Sequence, residues 1–180
     1  MTTTLTATPT LPLRQETEGW SEYIDRLSEA EVELFNLLPA SPNFSDFRTG
    51  PGLHDCDWDG YHAAQASFID ASTPLKAQVL KTLVKSLMIE AGLKELTVEY
   101  EGMGDAGEPS TIEGVESSHP AYEHLDDVCW AFAYHLHPGF EINEGGSGTL
   151  EFKLLEDGSV SLEMEHNDRY VETTTSTHNY

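Results

Sequence analysis

Basic residues are scarce in this chain: 9 Lys and Arg stand against 32 Asp and Glu, a formal charge of −23 with His neutral. That shortage excludes direct nucleic-acid binding, because phosphate recognition needs clustered Lys and Arg. It equally disfavours an anionic membrane surface. Cysteine is nearly absent. Cys56 and Cys129 form no CxxC and no metal spacing, so reduced thiols in the cytoplasm are the expectation. No apolar run reaches the length of a membrane span, and the opening Met1-Thr2-Thr3-Thr4 lacks the basic and apolar regions of a signal peptide.

What is present points to a folded acidic domain. The 180 residues suffice for one core, and 3 Trp, 7 Tyr and 7 Phe are too many for full disorder. The expected organisation is a flexible Thr/Pro-rich leader over 1–19, one domain over 20–172 and a frayed tail over 173–180. Charge is most one-sided in the last third, where residues 121–180 hold 12 acids and 2 bases.

Periodicity divides the chain. Trp20, Tyr23, Ile24, Leu27, Leu34, Phe35 and Leu38 follow helical spacing, with a break expected at the Ser28-x-x-Glu31 capping box. Residues 43–60 suggest a loop and 61–69 a short helix. Thr73-Pro74 is a strong helix start, and Gly92 is the stop. The period then changes to two in Leu96, Val98 and Tyr100. A glycine-rich turn and a strand near 111–115 follow, and Pro120 opens another helix. The end is expected to be a meander. Ile142 would pair with Leu150 and Phe140 with Phe152. Across a three-residue Glu156-Asp157-Gly158 loop, Leu154 would pair with Val160 and Phe152 with Leu162. The fold class predicted is α+β: an antiparallel sheet of about four to five strands, with helices on one face.

That register places Glu141, Glu151 and Glu163 in one row across three strands, with Glu165 beside it. Other chemistry is thin. Asp55-x-Asp57-x-Asp59-Gly60 copies the first half of a calcium loop, but Ala66 stands where a bidentate Glu is needed. A solvated acidic loop is therefore the default, with Asp55, Asp57 and Asp59 as metal candidates. His124 and His135 lie about 16 Å apart along a helix and cannot share an ion. Gly102 to Gly107 lacks the Lys-Ser/Thr pair of a phosphate loop. Nothing calls for a cofactor.

The run Val98-Glu99-Tyr100-Glu101-Gly102-Met103-Gly104-Asp105-Ala106-Gly107 resembles a bacterial family classed only as a domain of unknown function. So do Gly139-Phe140-Glu141-Ile142-Asn143-Glu144-Gly145 and His166-Asn167-Asp168-Arg169-Tyr170-Val171-Glu172. The likeness spans Leu75 to Tyr180. It departs at Ala106 and Glu108, where the family is closer to G-D-S-G-Q, and at Pro109-Ser110. The resemblance implies no activity.

Three functions compete, one of them a calcium-responsive module built on the Asp55 loop. The leading expectation is a non-enzymatic interaction protein that shows a carboxylate-rich sheet face to a basic protein partner; a mimic of DNA's phosphate surface is one form of it. The binding candidates are Glu101, Asp105, Glu141, Asn143, Glu144, Glu151, Glu163 and Glu165. The rival is a metal-dependent enzyme or small-ligand site at the Gly102–Gly107 loop, using Glu101 and Asp105 with Asn143, Glu144 or His166.

Overall fold

A computed structural model describes residues 11–50 and 55–170, the side chains of 108–110 excepted. The start of the expected leader and the expected tail lie outside these residues. Residues 11–19, read from composition as leader, are packed: Leu11 and Glu18 are buried. Arg26 donates to Glu18 through 2.8 and 2.6 Å hydrogen bonds, and the Arg14 guanidinium lies over the Trp20 ring.

Helix α1 (Trp20–Phe35) buries Trp20, Tyr23, Leu27 and Leu34, the spacing that the sequence shows. It does not break at Ser28. Glu31 stays partly exposed, so the apolar stripe tolerates it without a second helix. A short 3₁₀ turn (Phe44–Phe47) follows, and an isolated bridge joins Arg48 to Cys56.

Helix α2 (Trp58–Ala91) is a larger correction, because it runs straight through Pro74. The residues read as a short helix and as a new helix start are one element. Proline removes one N–H, and the residue whose carbonyl loses its donor, Asp70, is exposed. Thr73 does not cap. Its hydroxyl donates back to the Ile69 carbonyl, and that of Ser72 to Phe68, both at 2.7 Å. Every buried residue of α2 lies at or after Ser72. Gly92, at φ +66°, closes the helix as expected.

Strands β1 (Glu95–Met103) and β2 (Ala106–Glu113) form a hairpin, and α3 (Tyr122–Leu136) leads to a second hairpin, β3 (Gly146–Leu154) and β4 (Val160–Asp168). The sheet has four strands in the order β2-β1-β3-β4, every neighbouring pair antiparallel. The α+β class holds. Leu96, Val98, Tyr100, Leu150 and Phe152 point to the helices, where α2 supplies Leu80, Leu83, Val84 and Leu87 and α3 supplies Leu125, Cys129 and Phe132.

The second hairpin has the register derived from turn chemistry. Leu154 faces Val160, Phe152 faces Leu162, Leu150 faces Met164, and Gly158 has φ +76°. The strand expected at Phe140 and Ile142 is absent. Gly139, Asn143 and Gly145 all take positive φ, which makes 139–145 a chain of turns, and extended pairing is closed to it. The partner of β3 is β1 instead, with Phe152 opposite Leu96 and Leu150 opposite Val98. Glu151 therefore faces Thr97, not Glu141, and the expected row of three glutamates is reduced to the pair Glu151–Glu163.

Candidate functional site

Alternation along each strand sends every second side chain away from the helices. On β1 these are Glu95, Thr97, Glu99 and Glu101; on β2, Thr111 and Glu113. On β3 they are Ser147, Thr149, Glu151 and Lys153; on β4, Ser161, Glu163, Glu165 and Asn167. The rows across the sheet read Glu113–Thr97–Glu151–Glu163 and Thr111–Glu99–Thr149–Glu165. Glutamates thus occupy half of these outer positions, with Thr and Ser filling most of the others. Lys153 is the base on these four strands' outer positions, 3.6 Å from Glu151. Arg169, just past β4, is bound to Glu101 at 2.7 Å. Directly opposed glutamates such as Glu151 and Glu163 cost the sheet up to about 1 kcal/mol.

The other predicted residues gather at one end of the sheet. The residues read as a glycine loop are mostly strand: Gly102 pairs with Gly107, Met103 with Ala106, and only Gly104 and Asp105 turn. Both have positive φ, +64° and +66°, as a tight two-residue hairpin turn requires. Their backbone N–H groups donate to the Asn143 and Glu141 carbonyls at 3.0 Å. The turn thus meets this segment through backbone, with Gly104 bound to Asn143 and Asp105 bound to Glu141. Glu141 tucks against Gly102, whose missing side chain leaves the room, and its Oε2 is buried without a hydrogen-bond partner among the described residues. Glu144 is exposed.

Behind this end lies a group that the sequence reading missed. Tyr100, fully buried, crosses β3 over Gly148 and meets His166 Nδ1 at 2.7 Å. His166 Nε2 lies 3.1 Å from Asp168 Oδ1, and the Tyr170 hydroxyl donates to the other Asp168 oxygen. With His166 neutral, the phenol donates to Nδ1 and Nε2–H donates to the carboxylate. His137, at the end of α3, stacks on His166 with ring centres 3.8 Å apart. Burial first, then Asp168, pushes the Tyr100 phenol up to about 12, so it stays protonated. The one sequence clue was Gly148 amid an apolar strand, a sign of close approach.

Burial, and then repulsion from His166, lowers the His137 pKa, while Asp168 opposes this. A depressed folded pKa means the unfolded chain takes up the proton first. Stability is therefore complete above about pH 6.5, the unfolded value. It falls as pH drops through the lower folded value. Urea midpoints at falling pH should show this loss, and His137→Phe should reduce it. The remainder belongs partly to His135, which burial and Lys76 also depress. Its Nε2 lies 3.2 and 3.1 Å from the Ser72 and Thr73 hydroxyls. Both hydrogens of those hydroxyls already go to carbonyls, so Nε2 is the donor.

Of the aspartates read as half a calcium loop, two belong to the start of α2. Asp57 is the N-cap of α2, accepting from Gly60 N at 3.0 Å, and Asp59 lies in its first turn. Among the described residues no three His, Cys, Asp or Glu gather to hold a metal ion. No helix among them is long and apolar enough to cross a membrane.

Residues 111–180 match the model of a family of unknown function, DUF6878. No curated protein and no solved structure matches the chain. The match starts near the end of β2 and takes in α3, β3 and β4. The strand and turn at 98–107 precede it.

Proposed function

We propose that the protein binds a basic protein partner through the outer face of its sheet and performs no chemistry of its own there. The observation that carries this reading is the composition of that face. Glu95, Glu99, Glu101, Glu113, Glu151, Glu163 and Glu165 project from four adjacent strands, with Lys153 among them and Arg169 already paired. Strands about 4.8 Å apart make this a shallow lattice of carboxylates, suited to several Lys and Arg side chains at once. A nucleic-acid-binding protein carries such a surface, and on this reading the face acts as a DNA-mimic-type inhibitor of it.

Replacing Glu99, Glu151, Glu163 and Glu165 together with Gln tests the proposal. Four exposed contacts, each worth about 0.2–1 kcal/mol, imply capture of the partner weakened about fourfold or more. The parent's partners should be released by double-stranded DNA and by raised salt. Glu29→Gln with Glu33→Gln, on the exposed side of α1, should change nothing. If the four-fold variant captures the same proteins with the same salt dependence, the face is not the binding surface.

A further inference from the structure

We infer that the partner contributes an extended segment that adds to the free edge of β4 as a fifth strand, with Lys or Arg at alternate positions and apolar side chains between them. This rests on the reading of the acidic face above and names what it receives.

The two edges of the sheet differ. On β2 the register shifts opposite Glu99 and Tyr100, and Pro109, which has no N–H, stands in the pairing. Strand β4 is the reverse case: nine residues paired to β3 from Gly146↔Asp168 to Leu154↔Val160 without a bulge, and free of proline. Among the described residues no strand pairs with its other side. Such an edge is a template for another strand.

Side chains decide which strand fits. Glu163 and Glu165 point to the outer face, and cross-strand neighbours sit about 4.5–5.5 Å apart, so a base opposite each makes an ion pair. On the inner face Leu162 and Met164 are only partly buried, although both pack on the core. Apolar side chains on the incoming strand would finish covering them. A second copy of this chain fits badly, because β4 laid antiparallel on β4 opposes Glu163 and Glu165 to each other. Charges on an edge normally keep strands away; here their single sign rejects acidic and neutral strands and admits basic ones.

The test uses the full chain and a fluorescent peptide as long as β4 in which Lys and Val alternate, followed by anisotropy at about 50 mM salt, where charge screening is modest. Binding should weaken at least about tenfold, equivalent to 1.4 kcal/mol, in the Glu163→Lys/Glu165→Lys variant. A peptide N-methylated at alternate amides, and one of equal composition with its lysines in a block, should each lose binding. Amide exchange along β4 should slow in the complex. Binding that follows charge but ignores N-methylation and order overturns strand addition while leaving the acidic face intact. Absence of binding also overturns it, and the fate of the face then follows from the four-fold Gln variant. A chain that sediments as a dimer without peptide, with β4 amides protected, assigns the edge to a second copy and overturns it too.

Discussion

Gly148→Val is expected to destabilise the protein by about 3 kcal/mol and to break the Tyr100–His166 hydrogen bond. Gly148 lies between Tyr100 on β1 and His166 on β4, and the phenol crosses directly above it. A Cβ there would fall on the Tyr100 phenol and on the Glu165 carbonyl. The carbonyl is backbone in a paired strand and cannot move aside, and Tyr100 is locked beneath the core. Against a total stability of about 5–15 kcal/mol this is a large fraction. Urea unfolding measures it, with Ser147→Val on the outer face as a control near zero. Removing the obstacle with Tyr100→Ala should make the Gly148→Val cost smaller, a coupling that a double-mutant cycle resolves. Equal midpoints for parent and Gly148→Val would show that Tyr100 does not cross the strand there.

The second large effect concerns the stretch that matches the family of unknown function. Expressed alone, residues 111–180 are expected to show no cooperative unfolding transition, while 11–170 should melt as one unit. The match contains β3 and β4 but not β1, which lies between β2 and β3 in the sheet. Without β1 and α2 the inner side chains of Leu150 and Phe152 lose Val98, Leu96 and the Leu80–Leu87 face that covers them. One remaining hairpin and one helix bury too little to hold together. Thermal circular dichroism on the two pieces decides the matter. A sigmoidal melt for 111–180 would mean that this stretch carries a core of its own.

Local rules recovered much of this fold. The change of period at Gly92, the alternation in β1 and the three-residue turn ending at Gly158 depend on near neighbours, and all three stand in the structure. Failures came where distant segments choose. Period two says that Leu150 and Phe152 share a face, but it says nothing of which strand lies beside them. Phe140 and Ile142 had the pattern, while Gly139, Asn143 and Gly145 had the left-handed backbone that forbids it. Thr73-Pro74 had the pattern of a helix start, yet the helix was already under way from Trp58, and Thr73 turns its hydroxyl back to the Ile69 carbonyl instead of capping. Of the candidate site, the acidic face was legible because alternation alone assigns Glu151, Glu163 and Glu165 to one side. The Tyr100–His166–Asp168 chain was not, since it forms only when β1, β3 and β4 are set side by side.

The passage of α2 through Pro74 also sets up a lever. The residues before Ser72 contain none of the helix's buried side chains, and their far end carries Trp58 and Tyr61, in tilted and edge-to-face contact with Phe44 and Phe47. From Pro74 to Trp58 is an arm of about 24 Å at 1.5 Å per residue. A change of about 10° in helix direction at Ser72–Pro74 would carry the aromatic group through about 4 Å, close to the spacing between two strands. His135, hydrogen-bonded to both hydroxyls at that joint, sits at the fulcrum.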